Sequence, residues 1–154
     1  MMKSRTLSKS DIKSLNKELE RLYNIAPLGK KDSILLVESN RKYLKVNNKL
    51  SYFYYNNLLI PTLHLLSENC FLKKIIIDMG SIKFLCSGAD LMRPGIVDIS
   101  EDIKAGDIIV AVDVNNHQPI MVGEALLDSN NMKTQEKGKS VKNIHFVGDE
   151  IWNA

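Results

Sequence analysis

Ser87-Gly88-Ala89 and Arg93-Pro94-Gly95 are the residues whose types and spacing best suit chemistry on a ligand. Gly88 and Gly95 lack a Cβ, so the backbone there can take positive φ or lie against a ligand that a larger side chain would hold away. Lys83 and Arg93 add positive charge nearby, and Pro94 sets one φ in advance. Together they predict a loop with bare amide donors and a guanidinium able to clasp an anion such as phosphate. Lys137-Gly138-Lys139 is a second basic glycine turn, readable as a further phosphate contact or as an exposed hairpin tip.

Catalytic chemistry finds little support. His64, His117 and His145 stand on separate segments, and the sequence has no Walker loop, no GxGxxG after a strand, no HExxH and no G-x-S-x-G elbow. His145 with Asp149 and Trp152 resembles an acid/base pair beside an aromatic wall, but it lacks a nucleophile or metal, and a structural role at the close of the fold is the stronger reading. Cys70 and Cys86 form no CxxC pair and have no histidine at ligand spacing, so both read as structural thiols. The expectation is a protein that is not an enzyme and needs neither metal nor cofactor.

The elements that must position these residues fall into two parts. In residues 7–25, Ile12, Leu15, Leu19 and Leu22 share one helical face. Ser8 and Asp11 predict a capping box at the start, Leu7 and Ile12 a hydrophobic staple, and Pro27 and Gly29 an end. Strands are expected at 33–38, 42–46 and 50–55, with Asn47-Asn48 turning between the last two. Tyr52, Phe53, Tyr54 and Tyr55 read first as core material, and second as a platform for unpaired bases beside Lys42, Lys45 and Lys49. A short helix follows Pro61-Thr62, and His64 on it reads as a packed or hydrogen-bonded histidine rather than a ligand.

Beyond residue 73 the pattern is mainly strand: 75–78, a helix and loop over 79–96, a hairpin of 108–112 and 120–127 with His117 at its tip, a polar turn-rich stretch over 129–142, and closing segments at 144–147 and 151–152. Charge divides the same way. Residues 1–73 hold thirteen Lys and Arg against six Asp and Glu, a net of +7, whereas residues 74–154 hold eight against twelve, a net of −4. A basic first half points to nucleic acid or an acidic partner, or to an ordinary solvated face. The apolar patch at 58–66 is broken by Pro61, Thr62 and His64, well short of the roughly 20 residues of a membrane helix. Met1-Met2-Lys3-Ser4-Arg5 has no apolar stretch behind it. A cytoplasmic protein without membrane association is expected.

The ordered set Ser87-Gly88-Ala89, Met92, Pro94-Gly95-Ile96, Gly106-Asp107, Val122-Gly123, Lys137-Gly138-Lys139, Asn143-Ile144-His145, Asp149 and Trp152 resembles the PUA domain. The variant is similar to the stand-alone PUA proteins of translation, the family of the oncoprotein named for multiple copies in T-cell lymphoma and of ligatin. The resemblance implies an α+β pre-PUA domain over residues 1–73 and a mainly β PUA pseudo-barrel over residues 74–154. It implies RNA binding, to the acceptor end of tRNA or to rRNA of the small ribosomal subunit, in translation initiation or recycling. Carried over by position, it points to Lys83, Ser87, Gly88, Ala89, Met92, Arg93, Pro94 and Gly95, with His145 on the final strand. Lys73 and Lys74 are added on electrostatic grounds. A SUI1-domain protein is an implied partner, because eukaryotic relatives work with or are fused to one and this sequence has no such segment. Two alternatives stand beside this reading: an accessory RNA-binding module for a pseudouridine- or archaeosine-type modification enzyme, and a protein-interaction module that docks on an acidic partner without touching RNA.

Overall fold

The computed structural model describes residues 2–154. The chain divides into two compact units, residues 1–65 and 66–154.

In the first unit, β1 (Lys3–Thr6) leads into α1 (Lys9–Tyr23), and then β2 (Ile34–Glu38), β3 (Lys42–Val46), β4 (Lys49–Tyr55) and β5 (Leu58–Pro61) form a meander with β1 at one edge, in the order β1-β2-β3-β4-β5. The capping box of α1 is present: the Asp11 N–H donates to Ser8 Oγ and the Ser8 N–H to the Asp11 carboxylate, each at 3.1 Å. The helix stops earlier than Pro27 suggests. Asn24 takes a left-handed conformation and its N–H bonds the Glu20 carbonyl, so the αL cap ends the helix three residues before the proline. Leu15 and Leu19 are its buried residues, and the Tyr23 hydroxyl ties its end to the Leu59 carbonyl.

The turn at Asn47-Asn48 has positive φ at both residues, as a two-residue hairpin turn requires, and Asn56-Asn57 repeats it. That second turn makes β5 a strand out of what reads in sequence as part of an apolar patch. Ser51, Tyr52 and Phe53 are consecutive on β4 and all buried, so both faces of the strand are covered there. Burial pushes the Tyr52 phenol up to about 12. Tyr54 and Tyr55 are half-buried, with the Lys42 ammonium 4.7 Å from the Tyr54 ring centre. These rings are core and flank, the first of the two readings.

Helix α2 (Leu63–Glu68) contains the division between the units. The second unit then runs β6 (Lys74–Ile77), a 3-10 turn (Met79–Ser81), α3 (Ile82–Leu85), β7 (Leu91–Met92), another 3-10 turn (Arg93–Gly95), β8 (Ile96–Ile99), β9 (Ile108–Asp113), β10 (Pro119–Ala125), α4 (Ser129–Thr134) and β11 (Lys139–Phe146). Its six strands lie in the order β7-β11-β10-β9-β6-β8, antiparallel except for β6 beside β9. Register shifts at Pro119/Met121 and Val122/Gly123 on β10, and at Ile76/Ile77 on β6, bend the sheet around one apolar core. The expected pseudo-barrel is what forms.

The polar stretch 129–142 is not all turn. The Asp128 carboxylate accepts from the Asn131 N–H at 2.8 Å and starts α4, and the closing strand begins at Lys139, five residues sooner than its apolar residues suggest. Among the described residues no helix is long and apolar enough to cross a membrane.

Candidate functional site

The segment from Asp78 to Gly95 forms one surface of the second unit. Asp78 begins it, its carboxylate accepting from the Ser81 N–H at 2.9 Å and the Ser81 hydroxyl at 2.7 Å. Gly95 then lies so close to Ser81 that a Cβ built on it would stand 2.2 Å from Ser81 Oγ. A Cβ there would push the Ser81 hydroxyl off the Asp78 carboxylate, at the point where the Gly95 carbonyl accepts from the Asp78 N–H. Asn143, on β11, holds the other end. Its Nδ2 donates to the carbonyls of Leu85 and Ala89 at 3.1 and 2.9 Å, and its N–H to the Asp90 carboxylate at 2.9 Å. That last bond, foremost, and Lys139 at 3.1 Å keep Asp90 below the usual carboxylate range.

Ser87, Gly88 and Ala89 are exposed, as a contact loop needs, and Gly88 has φ of +96°. Their amide donors are not bare. The Ser87 and Ala89 N–H groups both bond the Phe84 carbonyl, the Gly88 N–H bonds Leu85, and the Ser87 hydroxyl also donates to Phe84. The Arg93 N–H is likewise occupied by the Gly138 carbonyl at 2.8 Å. Its guanidinium turns back on the chain, with Nη1 donating to the Ile96 carbonyl at 3.2 Å and Nε buried without a hydrogen-bond partner. The amide-and-guanidinium clasp read from the sequence is therefore corrected: a short helix closing into a tight turn consumes its own donors, and what remains exposed is side chain.

Those side chains are largely apolar. Phe84 is 58% exposed, Met92 44% and Met79 43%. Phe84 and Met92 border a cavity of about 340 Å³ with Leu85, Ala89, Leu91 and Gly95 on its walls and Ser81 and Asp90 as its polar groups. The Lys83 ammonium lies 5.1 Å from the centre of the Phe84 ring, so one cation and one aromatic face are presented together. Phe84 and Met79 are the members of this surface that reasoning from sequence missed. The signal for Phe84 was a helix too short to bury more than one side, since of its four residues only Leu85 is buried; Met79 stands on the 3-10 turn before it, where no residue is buried.

The other candidates separate by position. Pro94 is exposed beside Met92. Gly138 and Lys139 pair with Arg93 and β7, which brings the second basic turn to the edge of the surface. Lys73 and Lys74 sit at the far end of β6, about 13 Å away for four residues of strand. Lys73 is engaged there by the Asp102 carbonyl and by the Asp107 carboxylate at 3.8 Å, while Lys74 is exposed.

His145 is not on the surface at all. Its side chain is fully buried, with Nδ1 2.8 Å from the Asp149 carboxylate, which also accepts from the Phe146 and Trp152 N–H groups at 3.0 and 2.8 Å. Burial alone would raise the Asp149 pKa, but the bonds from His145 and the two amides outweigh it and hold the carboxyl below its ordinary value. The pair closes the C-terminal end of the fold. His117 is exposed at its hairpin tip, and His64 is exposed on α2.

Comparison with known proteins agrees with this architecture. Residues 73–147 match the PUA domain and residues 5–69 match a domain of unknown function, DUF1947. The chain is 41% identical to an uncharacterized protein of Methanocaldococcus jannaschii, over 96% of this chain and 93% of that one. It is 32% identical to Malignant T-cell-amplified sequence 1 of Rattus norvegicus, over 96% and 88%, and 27% identical to Translation machinery-associated protein 20 of Saccharomyces cerevisiae, over 97% and 86%. A crystal structure of a hypothetical protein from Pyrococcus horikoshii superposes with a TM-score of 0.85 at 31% identity, covering 98% of both chains. A fold, a two-part domain order and a sequence likeness that run nearly end to end leave one assignment: the chain belongs to the family of PUA-domain proteins that includes Malignant T-cell-amplified sequence 1 and Translation machinery-associated protein 20.

Proposed function

We propose that this chain is a non-enzymatic, cytoplasmic RNA-binding protein of translation, and that residues 74–154 form the RNA-binding domain beside an accessory domain of residues 1–73. The observation that carries the reading is the exposed Phe84 and Met92 beside an apolar cavity, with Lys83 over the aromatic ring. A ring of that kind stacks an unpaired base, and every base has a face to offer it. RNA is recognised in this way at single-stranded ends, loops and bulges, where bases are free to leave the helix. The acceptor end of tRNA is such a segment, and it is the target proposed here, alone or on the small ribosomal subunit.

In this proposal Phe84 and Met92 seat a terminal base, and Lys83, with Lys139 at the edge, meets the adjoining phosphates. Ser87, Gly88, Ala89, Pro94 and Gly95 shape the rim by keeping backbone low, and Arg93 supports the rim through Ile96 rather than reaching outward. Lys74 adds long-range attraction from the other end of β6. Phosphate contacts then set position while the stacked base sets the site of binding.

Crosslinking and sequencing of RNA bound in cells tests this reading. Enrichment of tRNA 3′ ends or of small-subunit rRNA, lost in Phe84→Ala, is expected. Enrichment of substrates of an RNA-modifying enzyme instead would move the protein to the accessory role, and RNA recovery that ignores Phe84 would remove the surface from the account.

A further inference from the structure

The first unit carries a groove for which the RNA reading has no use. Along α1, Lys9, Lys13 and Lys17 recur every four residues on one flank, and the loop after the helix brings Lys30 to the same cleft of about 450 Å³. Ile12 and Leu28 supply its apolar lining. The loop is locked to the helix, since Asn16 Nδ2 donates to the Leu28 carbonyl at 2.7 Å and the Leu28 N–H returns a bond to Asn16 Oδ1 at 3.1 Å. The Gly29 N–H is held by the Asp32 carboxylate at 2.7 Å. A groove fixed in this way loses little freedom when it is filled.

All four lysines are exposed and none makes an ion pair among the described residues. Like charges four apart on a helix repel, so the column costs the helix stability as it stands. An anionic partner would reverse that repulsion. The lining decides which anion. No aromatic ring borders the cleft, so a base has nothing to stack on; the lysines can meet a phosphate or a carboxylate alike, and the apolar floor of Ile12 and Leu28 decides between partners. An aliphatic side chain fits such a floor. Glu20 stands at one end and gives the groove a direction, because it repels acid there.

We propose that this groove docks a short segment of a partner protein in which an aliphatic residue is flanked by Asp or Glu, the aliphatic side chain lying against Ile12 and Leu28 and the carboxylates against Lys9, Lys13, Lys17 and Lys30. Acidic residues gather at the end away from Glu20. The interaction belongs to the first unit and stands whether or not the second binds RNA.

Selection of a displayed library of random peptides of about twelve residues on the full chain tests it, with the Lys13→Glu/Lys17→Glu double variant as the counter-target. Enriched peptides are expected to pair an aliphatic residue with two or more neighbouring acids, to bind the parent roughly tenfold tighter than the double variant, and to shift the Ile12 and Leu28 methyl resonances of the full chain. Failure to enrich, enrichment of peptides without acids, equal binding to the double variant, or unmoved methyls would each overturn the proposal. So would a single-stranded oligouridine that shifts the same methyls and displaces the peptide. Both substitutions are at exposed positions, and thermal unfolding with unchanged affinity for a tRNA acceptor stem verifies that the variant retains its fold and its RNA surface.

Discussion

Replacing Phe84 with alanine separates stacking from electrostatics at the proposed RNA surface. The ring is 58% exposed, so about two-fifths of its area is covered by protein. Truncating a fully buried phenylalanine costs about 3–5 kcal/mol, which scales here to roughly 1–2 kcal/mol of stability. The contact with Lys83 at 5.1 Å adds about 0.5–1 kcal/mol for an exposed pair. The variant therefore stays folded. Loss of one base-stacking partner costs about 1–3 kcal/mol of binding, or roughly 5- to 150-fold in affinity. Because no charge is removed, the dependence of log affinity on log salt should keep its slope. Lys83→Ala should do the converse, lowering the slope by about 0.7 for a single strand and weakening binding less. Fluorescence anisotropy with a labelled tRNA acceptor stem ending in its single-stranded 3′ segment, at salt from about 50 to 200 mM, reads both quantities. Should Phe84→Ala bind as tightly as the parent, or change only the slope, base stacking at this surface is refuted.

Asn143→Ala removes the two bonds that pin the carbonyls of Leu85 and Ala89, and a loss of about 1–3 kcal/mol in urea unfolding, with weaker RNA binding through a displaced α3, is expected. A normal midpoint would show that the turn holds itself. Gly123→Ala places a Cβ about 2.5 Å from the Lys142 carbonyl at a β-bulge, and it should destabilise by about 1–3 kcal/mol without altering RNA affinity in the folded fraction. Asp149 is depressed below its ordinary pKa in the folded protein, so its contribution to stability is complete above about pH 4 and is lost as pH falls through the folded value. Urea midpoints measured from pH 6 downward should fall across that acidic window in the parent and less in Asp149→Asn. The variant should already be weaker at pH 6 by about 1–3 kcal/mol, having replaced the carboxylate beside buried His145 with a neutral amide.

Gly88 is a poorer probe of the surface than its exposure suggests. At φ of +96° any branched side chain strains the backbone, so Gly88→Val would test folding as much as binding. The exposed side chains of Lys83, Phe84 and Met92 carry no such ambiguity.

Local pattern alone determined a good deal. The capping box at Ser8 and Asp11, the helix face of Leu15 and Leu19, the Asn47-Asn48 turn, the β9–β10 hairpin and the family itself were legible because each rests on residues close in sequence or on an ordered set of short motifs. Strands β1 and β5 and helix α4 were not, since β1 is exposed throughout and carries no apolar alternation, β5 is one part of a longer apolar patch, and α4 depends on one capping aspartate within a polar run. The character of the candidate site was decided in three dimensions. Whether an amide in a glycine turn is free depends on which carbonyl folds back to meet it, and at Ser87, Gly88 and Ala89 the carbonyls of Phe84 and Leu85 do. Whether an arginine or a histidine faces solvent depends on strands far away in sequence: Gly138 draws in the backbone at Arg93, and the closing strand buries His145 against Asp149. Composition placed charge and glycine near one another, but only the packing of α3 against the sheet left Phe84 uncovered.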